Sequence, residues 1–218
     1  MKNNLEILYE DNHIIVVVKP FNILSQSDDT KDIDMLTLIK SYLKEKYNKP
    51  GNVYLGLIHR LDRPTGGIMV FAKTSKAASR LSEQIRLNLF TKKYLAIVNG
   101  YFDEKAGVFE DYILKKEDNS SIISKDGKYA KLEYEVLKEK SNLSLVNILL
   151  HTGRHHQIRV QFASRNHPLY GDQRYGKSSK KQLALFAYYL SFNHPVTKEK
   201  LEFIKYPDKV GIWKEFIC

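Results

Sequence analysis

The chain has one cysteine among its 218 residues, and it is the last of them, Cys218. Disulfides within the chain and a cysteine-based zinc site are therefore excluded. Long apolar runs are missing too. No stretch approaches the ~18 residues that a membrane-crossing helix requires. The opening stretch, MKNNLEILYEDNHIIVVVKP, carries acids ahead of its apolar run and ends at Lys19-Pro20 with no small-residue cleavage site. It does not read as a signal peptide, so the cytoplasm is the expected compartment and a membrane partner is not expected. Internal repeats and long low-complexity segments are absent as well. Metal-site patterns are scarce. His151, His155 and His156 lie close together, but no HExxH pattern occurs and the next acid along the chain is Asp172. No metal is expected, and these histidines read as structural or ligand-contacting groups.

What the chain does have is positive charge. Lys and Arg number 35 against 25 Asp and Glu, a formal net charge of +10. That balance points to a polyanionic partner, nucleic acid first and a membrane surface second. Tyrosine is abundant at 14. Rings beside cations suit base stacking, although tyrosines also fill half-buried strand faces. The length supports one full domain with a sizeable core, and a single catalytic domain over 1–218 is expected, with two small domains as the alternative.

Periodicity gives the order of elements. EILYED and HIIVVVKP read as two strands split at Asp11-Asn12. In DIDMLTLIKSYLKEKYN, Met35, Leu36, Ile39, Tyr42 and Leu43 recur at helical spacing. GIMVFAKT is a short buried strand, and Thr74 can cap a helix whose Ala77, Ala78, Leu81 and Ile85 share one face. KKYLAIVNG and GVFEDYIL read as strands. In KYAKLEYEVLKEK, Ala130, Leu132, Tyr134 and Val136 alternate with polar residues, as in a strand with one buried face. LSLVNILL leads through a glycine turn into a helix in HTGRHHQIRVQFASRNH, and LALFAYYLSF is a late buried strand. YGKSSKKQ reads as an exposed loop. Strands in clusters with a few helices between them give an α+β class, with a largely antiparallel or mixed central sheet and flanking helices.

Two stretches carry chemistry. In LIHRLDRPTGGIMVFAKT, Asp62 sits in a loop between Arg60 and Arg63. Adjacent guanidinium groups favour the ionised carboxylate. Gly66-Gly67 lets the backbone turn tightly or approach a ligand. An ionised aspartate ringed by cations fits a nucleophile or base acting on an anionic substrate, and it also fits a surface turn with an ion pair. In LLHTGRHHQIRVQFASRNHPLYGDQRYG, Arg154 and Arg159 straddle a turn-to-helix boundary and could clamp a phosphate.

As a set these stretches are specific. HRLDRPTGG, KKYLAIVNG about thirty residues on, TGRHHQIRVQFA and HPLYGDQRYG, with the opening LYEDNHIIVVVKP, closely resemble the RluA family of pseudouridine synthases, in that family's order and spacing from about Leu5 to at least Tyr175. Departures are small. Asn22 stands where a glycine is usual after Lys-Pro, Gly67 varies the turn after Asp62, and His155 holds a spot often taken by Thr or Ser. The resemblance implies the pseudouridine synthase fold and isomerisation of a uridine to pseudouridine in structured ribosomal or transfer RNA. It implies Asp62 as catalytic aspartate, Tyr94 as the ring packed on the target base, and Arg159 as the cation that pairs with the aspartate. Arg60 matches the residue thought to enter the stack when the uridine is flipped out, a step the chemistry needs because the reacting atoms are buried in a stacked helix. His59, Arg63, Arg154, His155 and Gln157 are the further substrate-binding candidates. No cofactor, no obligate protein partner and a monomer are expected. A separate N-terminal RNA-binding module is not expected either, because the first strand begins by about Leu5.

Two other classes remain as rivals. A non-catalytic RNA binder would use the same basic surface, but plain binding needs no buried carboxylate. A glycosidase-like hydrolase would pair Asp62 with Asp172, since such enzymes commonly use two carboxylates.

Overall fold

A computed structural model describes residues 5–28, 30, 32–176 and 180–217. Cys218 and residues 177–179 of the lysine-rich 175–182 stretch lie outside the described residues. Eleven strands and three helices occur among the described residues, an α+β arrangement. In chain order they are β1 (Glu6–Glu10), β2 (Ile14–Lys19), α1 (Met35–Lys46), β3 (Gly56–Leu57), β4 (Gly66–Ala72), α2 (Ser75–Arg86), β5 (Thr91–Asn99), β6 (Ala106–Lys115), β7 (Ser121–Ile123), β8 (Lys128–Lys140), β9 (Leu143–Leu150), α3 (Gln157–Ala163), β10 (Leu185–Asn193) and β11 (Lys200–Ile204). A 3-10 turn over Gly211–Glu215 follows. The chain forms two compact units, Met1–Phe90 with Tyr189–Lys205, and Thr91–Tyr188 with Tyr206–Cys218.

In the first unit β2 pairs antiparallel with both β1 and β4 (Ile14 opposite Ala72, Lys19 opposite Gly67), and β11 pairs with β10. Every residue of β2 and β4 is buried, as their unbroken apolar runs require of strands covered on both faces. Both helices start where the sequence places a cap. Asp34 accepts from the Thr37 N–H, and Thr74 accepts from the Ala77 N–H. Ala77 and Leu81 of α2 pack with Ile14, Val16, Ile68, Val70, Phe90 and Phe192. Burying each large apolar side chain in such a cluster contributes about 1.5–3 kcal/mol.

In the second unit the strands follow the order β5-β9-β8-β6-β7, every neighbouring pair antiparallel. Along β8, Ala130, Leu132 and Tyr134 are buried while Tyr129, Glu133 and Glu135 are exposed, which is the alternation of a one-sided strand. The short α3 packs on that buried face through Phe162, whose ring meets Phe109 edge-on at 5.1 Å. The three shortest strands, β3, β7 and β11, were not expected from sequence. At two to five residues they carry too little periodicity to stand out from loop.

Candidate active site

The first unit carries the aspartate on an irregular segment between β3 and β4, pinned from three sides. The Ser25 hydroxyl donates to the Leu61 carbonyl at 2.7 Å and accepts from the Leu61 N–H at 3.1 Å, fixing the residue before Asp62. The Thr65 N–H donates to the Asp62 carbonyl at 2.9 Å, closing the turn after it. The Lys19 ammonium donates to the carbonyls of Pro20, Ile23 and Arg63 at 3.0, 2.6 and 3.1 Å. The turn that follows Lys19 holds Asn22 at φ +64. That is the left-handed region, where glycine is default and asparagine the best tolerated alternative, so the exchange for the family's glycine preserves the turn. Gly67, at φ +126, lets the chain leave the loop and enter β4.

Sequence reasoning named the arginines beside Asp62 and missed Lys19. Lys19 is fully buried, and the Asp62 carboxylate is the charge that favours its ammonium. Burial pulls the Lys19 pKa down to about 7, the neighbouring Arg63 adds to that pull, and Asp62 opposes it. The two arginines do other things. Arg63 pairs with Asp32 at 2.8 Å, both side chains about half exposed, a contact worth about 0–1 kcal/mol. Arg60 is exposed. His59 is turned to the fold, its Nε2 accepting from the Val70 N–H at 3.2 Å and its ring edge-on to Phe90.

A depressed lysine has a definite linkage sign. The unfolded chain holds the Lys19 proton up to about its ordinary 10.5, the folded chain only to about 7. Between those values the unfolded state binds more protons, so stability rises with pH, by up to ~1.4 kcal/mol per unit for one proton. Lys19→Met should be less stable at every pH, because three carbonyls lose their donor, and its stability should climb less steeply than the parent's between pH 7.5 and 9.5. Urea unfolding at several pH values checks this, and equal slopes would remove Lys19 as the titrating group.

The second unit holds the remaining candidates. Tyr94 lies on β5 opposite Ile148 of β9 and is 6% exposed. Arg159 lies on α3 and is not the exposed phosphate clamp that its spacing from Arg154 suggested. Its Nε and Nη2 donate to the two oxygens of Asp172, each at 2.8 Å, with side-chain exposures of 7% and 0%. Burial pushes the Asp172 carboxyl up, and Arg159 with the Tyr175 and Arg174 N–H groups more than reverses this, holding it below its ordinary range. Arg154 is exposed and donates from Nε to the Tyr129 carbonyl at 2.7 Å. Gln157 is buried. Its Oε1 accepts from the Thr152 hydroxyl and the Arg154 N–H, and its Nε2 donates to the Lys131 carbonyl. It braces the turn before α3. The His155 Nδ1 lies 2.9 Å from the Ser121 hydroxyl. Among the described residues no group of three or more His, Cys, Asp or Glu is placed to hold a metal.

Comparison with known proteins agrees with the motifs. Residues 13–164 match the model of the family described as RNA pseudouridylate synthase. An uncharacterized RNA pseudouridine synthase of Aquifex aeolicus is 35% identical over 215 residues, covering 91% of this chain and 68% of that protein. The ribosomal large subunit pseudouridine synthase C of Buchnera aphidicola from Acyrthosiphon pisum is 30% identical, over 92% of this chain and 66% of its own length. The chain thus spans about two thirds of these curated relatives. The structure of human RNA pseudouridylate synthase domain containing 4 superposes with a TM-score of 0.78 at 23% identity, covering 94% of this chain and 89% of the other. The RluA-type resemblance read from four ordered motifs, the α+β fold and the family match converge, and the chain belongs to the RNA pseudouridylate synthase family, enzymes that isomerise uridine to pseudouridine in RNA.

Proposed function

We propose that this chain, acting as one catalytic domain over 1–218, converts a specific uridine in structured RNA to pseudouridine, with Asp62 as the catalytic aspartate. The observation that carries the reading is the Asp62 loop itself. Three sets of hydrogen bonds fix its backbone, and its carboxylate is the charge that favours the buried Lys19 ammonium. A rigidly placed aspartate is what a nucleophile or base requires. The target must leave its stack to be reached, and the exposed Arg60, two residues before Asp62, is the side chain assigned to fill the gap. Tyr94 is assigned to the target base and Arg159 to supporting the charge of the aspartate during turnover. Arg154 and His155 serve as RNA contacts, with Arg63 and His59 completing the loop. The relatives named as ribosomal large subunit pseudouridine synthases favour ribosomal RNA over transfer RNA as substrate. A monomer working in the cytoplasm without a cofactor or protein partner completes the proposal. Mapping uridine modification across total RNA in cells with and without this gene tests it. Loss of pseudouridine at a defined site supports the reading, and an unchanged map contradicts it.

Recognition is expected to be self-contained. A minimal hairpin carrying the mapped uridine should be modified nearly as well as the full RNA, because single-stranded loop bases are the usual targets of sequence-specific RNA readers. Binding should weaken steeply with salt, each neutralised phosphate adding about 0.7–0.9 to the slope of log affinity. Modification confined to an assembled ribosomal particle would contradict this.

Tyr94 separates stacking from proton transfer. If its hydroxyl moves a proton, Tyr94→Phe and Tyr94→Leu should lose similar activity. If the ring only stacks, Phe should keep most of it. We expect the hydroxyl to matter, and single-turnover rates of the two variants decide it.

A further inference from the structure

The stretch HPLYGDQRYG takes no direct part in the chemistry proposed above, yet it builds the most constrained turn around any candidate residue. Gly171 has φ +74, and a Cβ there would lie 2.2 Å from the Gln182 carbonyl oxygen, so only glycine fits. The next residue, Asp172, is fixed from both sides. Its Oδ1 accepts from the N–H groups of Arg174 and Tyr175 at 2.9 and 3.1 Å, and its carbonyl accepts from the Gly176 N–H at 3.0 Å. The same carboxylate takes Nε and Nη2 of Arg159 side-on. A bidentate pair of this kind sets the plane of a guanidinium as well as its position, which a lysine could not reproduce.

Tyr175, three residues on, supports the same guanidinium from another direction. The Arg159 guanidinium carbon stands 5.2 Å from the Tyr175 ring centre, within cation–π range. That ring is itself locked through its hydroxyl. The hydroxyl accepts from the Ser121 N–H at 2.7 Å and lies 2.8 Å from the His156 Nδ1. His156 reaches it from a left-handed backbone, φ +54, at the residue before α3. A non-glycine residue held there is over-determined by its surroundings, a cost that recurs at functional sites. Two independent supports thus converge on one side chain, Asp172 in its plane and the Tyr175 ring over it.

We propose that Asp172 and Tyr175 are positioning residues for uridine isomerisation, acting through Arg159, with His156 and Ser121 holding Tyr175 in place. The inference rests on the reading that Arg159 takes part in turnover. Neither residue is assigned a contact with the substrate. Each determines where the guanidinium is aimed, and misplacement by about an ångström can cost on the order of a hundredfold in rate.

The test is a double-variant cycle on the full chain, using a synthetic transcript that carries the mapped uridine. Single-turnover rates at saturating enzyme are compared for the parent, Asp172→Asn, Arg159→Lys and the double variant, well below each variant's melting temperature. Asp172→Asn is expected to slow turnover about thirtyfold or more with RNA affinity within about threefold. Because both residues act as one unit, the double variant should be no more than about threefold slower than the slower single variant. A purely structural role would lower the melting temperature and leave the rate of the folded enzyme unchanged, which overturns the proposal. Multiplying losses also overturn it, since they place Asp172 outside Arg159's action. An Arg159→Lys enzyme with parental rate overturns the underlying reading and the proposal with it. If Asp172→Asn does not fold, Tyr175→Phe and Tyr175→Leu replace it. The ring-retaining Phe variant should turn over faster than Leu, and equal parental rates for both contradict the proposal.

Discussion

Asp62→Asn is expected to abolish pseudouridine formation, by at least ~10³-fold, while leaving RNA affinity within a few-fold. The exchange is close to isosteric, and the bonds that shape the loop run to backbone groups. Ser25 holds Leu61, Lys19 holds the Arg63 carbonyl, and the Thr65 N–H holds the Asp62 carbonyl, not its side chain. The loop should therefore keep its form when the carboxylate becomes an amide. Affinity should hold because a carboxylate repels phosphate, so removing it costs binding nothing. What goes is the carboxylate assigned as nucleophile or base. Product assays and binding curves on one transcript decide the matter, and residual turnover within tenfold of the parent contradicts the assignment. Lys19 adds an internal check. Without the neighbouring negative charge its ammonium is favoured less, so the rise of stability with pH should begin at a lower pH in Asp62→Asn than in the parent.

Arg159→Ala should be the most damaging single change in the second unit, for stability and rate together. Asp172 has no exposure of its own and carries its charge against Arg159. Removing the guanidinium leaves a buried carboxylate with only two backbone N–H donors, an imbalance that costs about 3–5 kcal/mol. The space left beside the Tyr175 ring adds to it. Turnover should fall by at least ~10²-fold in whatever fraction remains folded. Denaturant unfolding and single-turnover rates, measured on the same preparation, separate the two losses. A stable variant with parental rate would mean that the buried pair does no more than fill space.

The sequence was most legible where a function or an element is written in neighbouring residues. The Asp62 loop, the caps at Asp34 and Thr74, the alternation along β8 and the turn into α3 all depend on side chains within a few positions of one another. What escaped depends on distance along the chain. Lys19 meets the Arg63 carbonyl across 44 residues, and at the end of an apolar strand it reads as a charge going to solvent. The pairing of Arg159 with Asp172 escaped because Asp172 is 13 residues on and past a helix end. The chain passes between the two units before β5, inside β10 and after β11, where composition does not change to mark a boundary. Asn22 is the opposite case. The sequence marks it as a departure from the family's glycine, and its positive φ shows why asparagine serves in glycine's place.

The central claim is that this chain breaks and remakes the bond between a uracil base and its ribose without releasing the base. The measurement that meets it most directly is a nucleoside analysis of one transcript, carrying the mapped uridine, after incubation with the purified chain and with its Asp62→Asn variant. The account predicts pseudouridine at that one position with the parent, none with the variant, and no free uracil with either. Free uracil would make the chain a hydrolase, and intact uridine on tightly bound RNA would make it a binder.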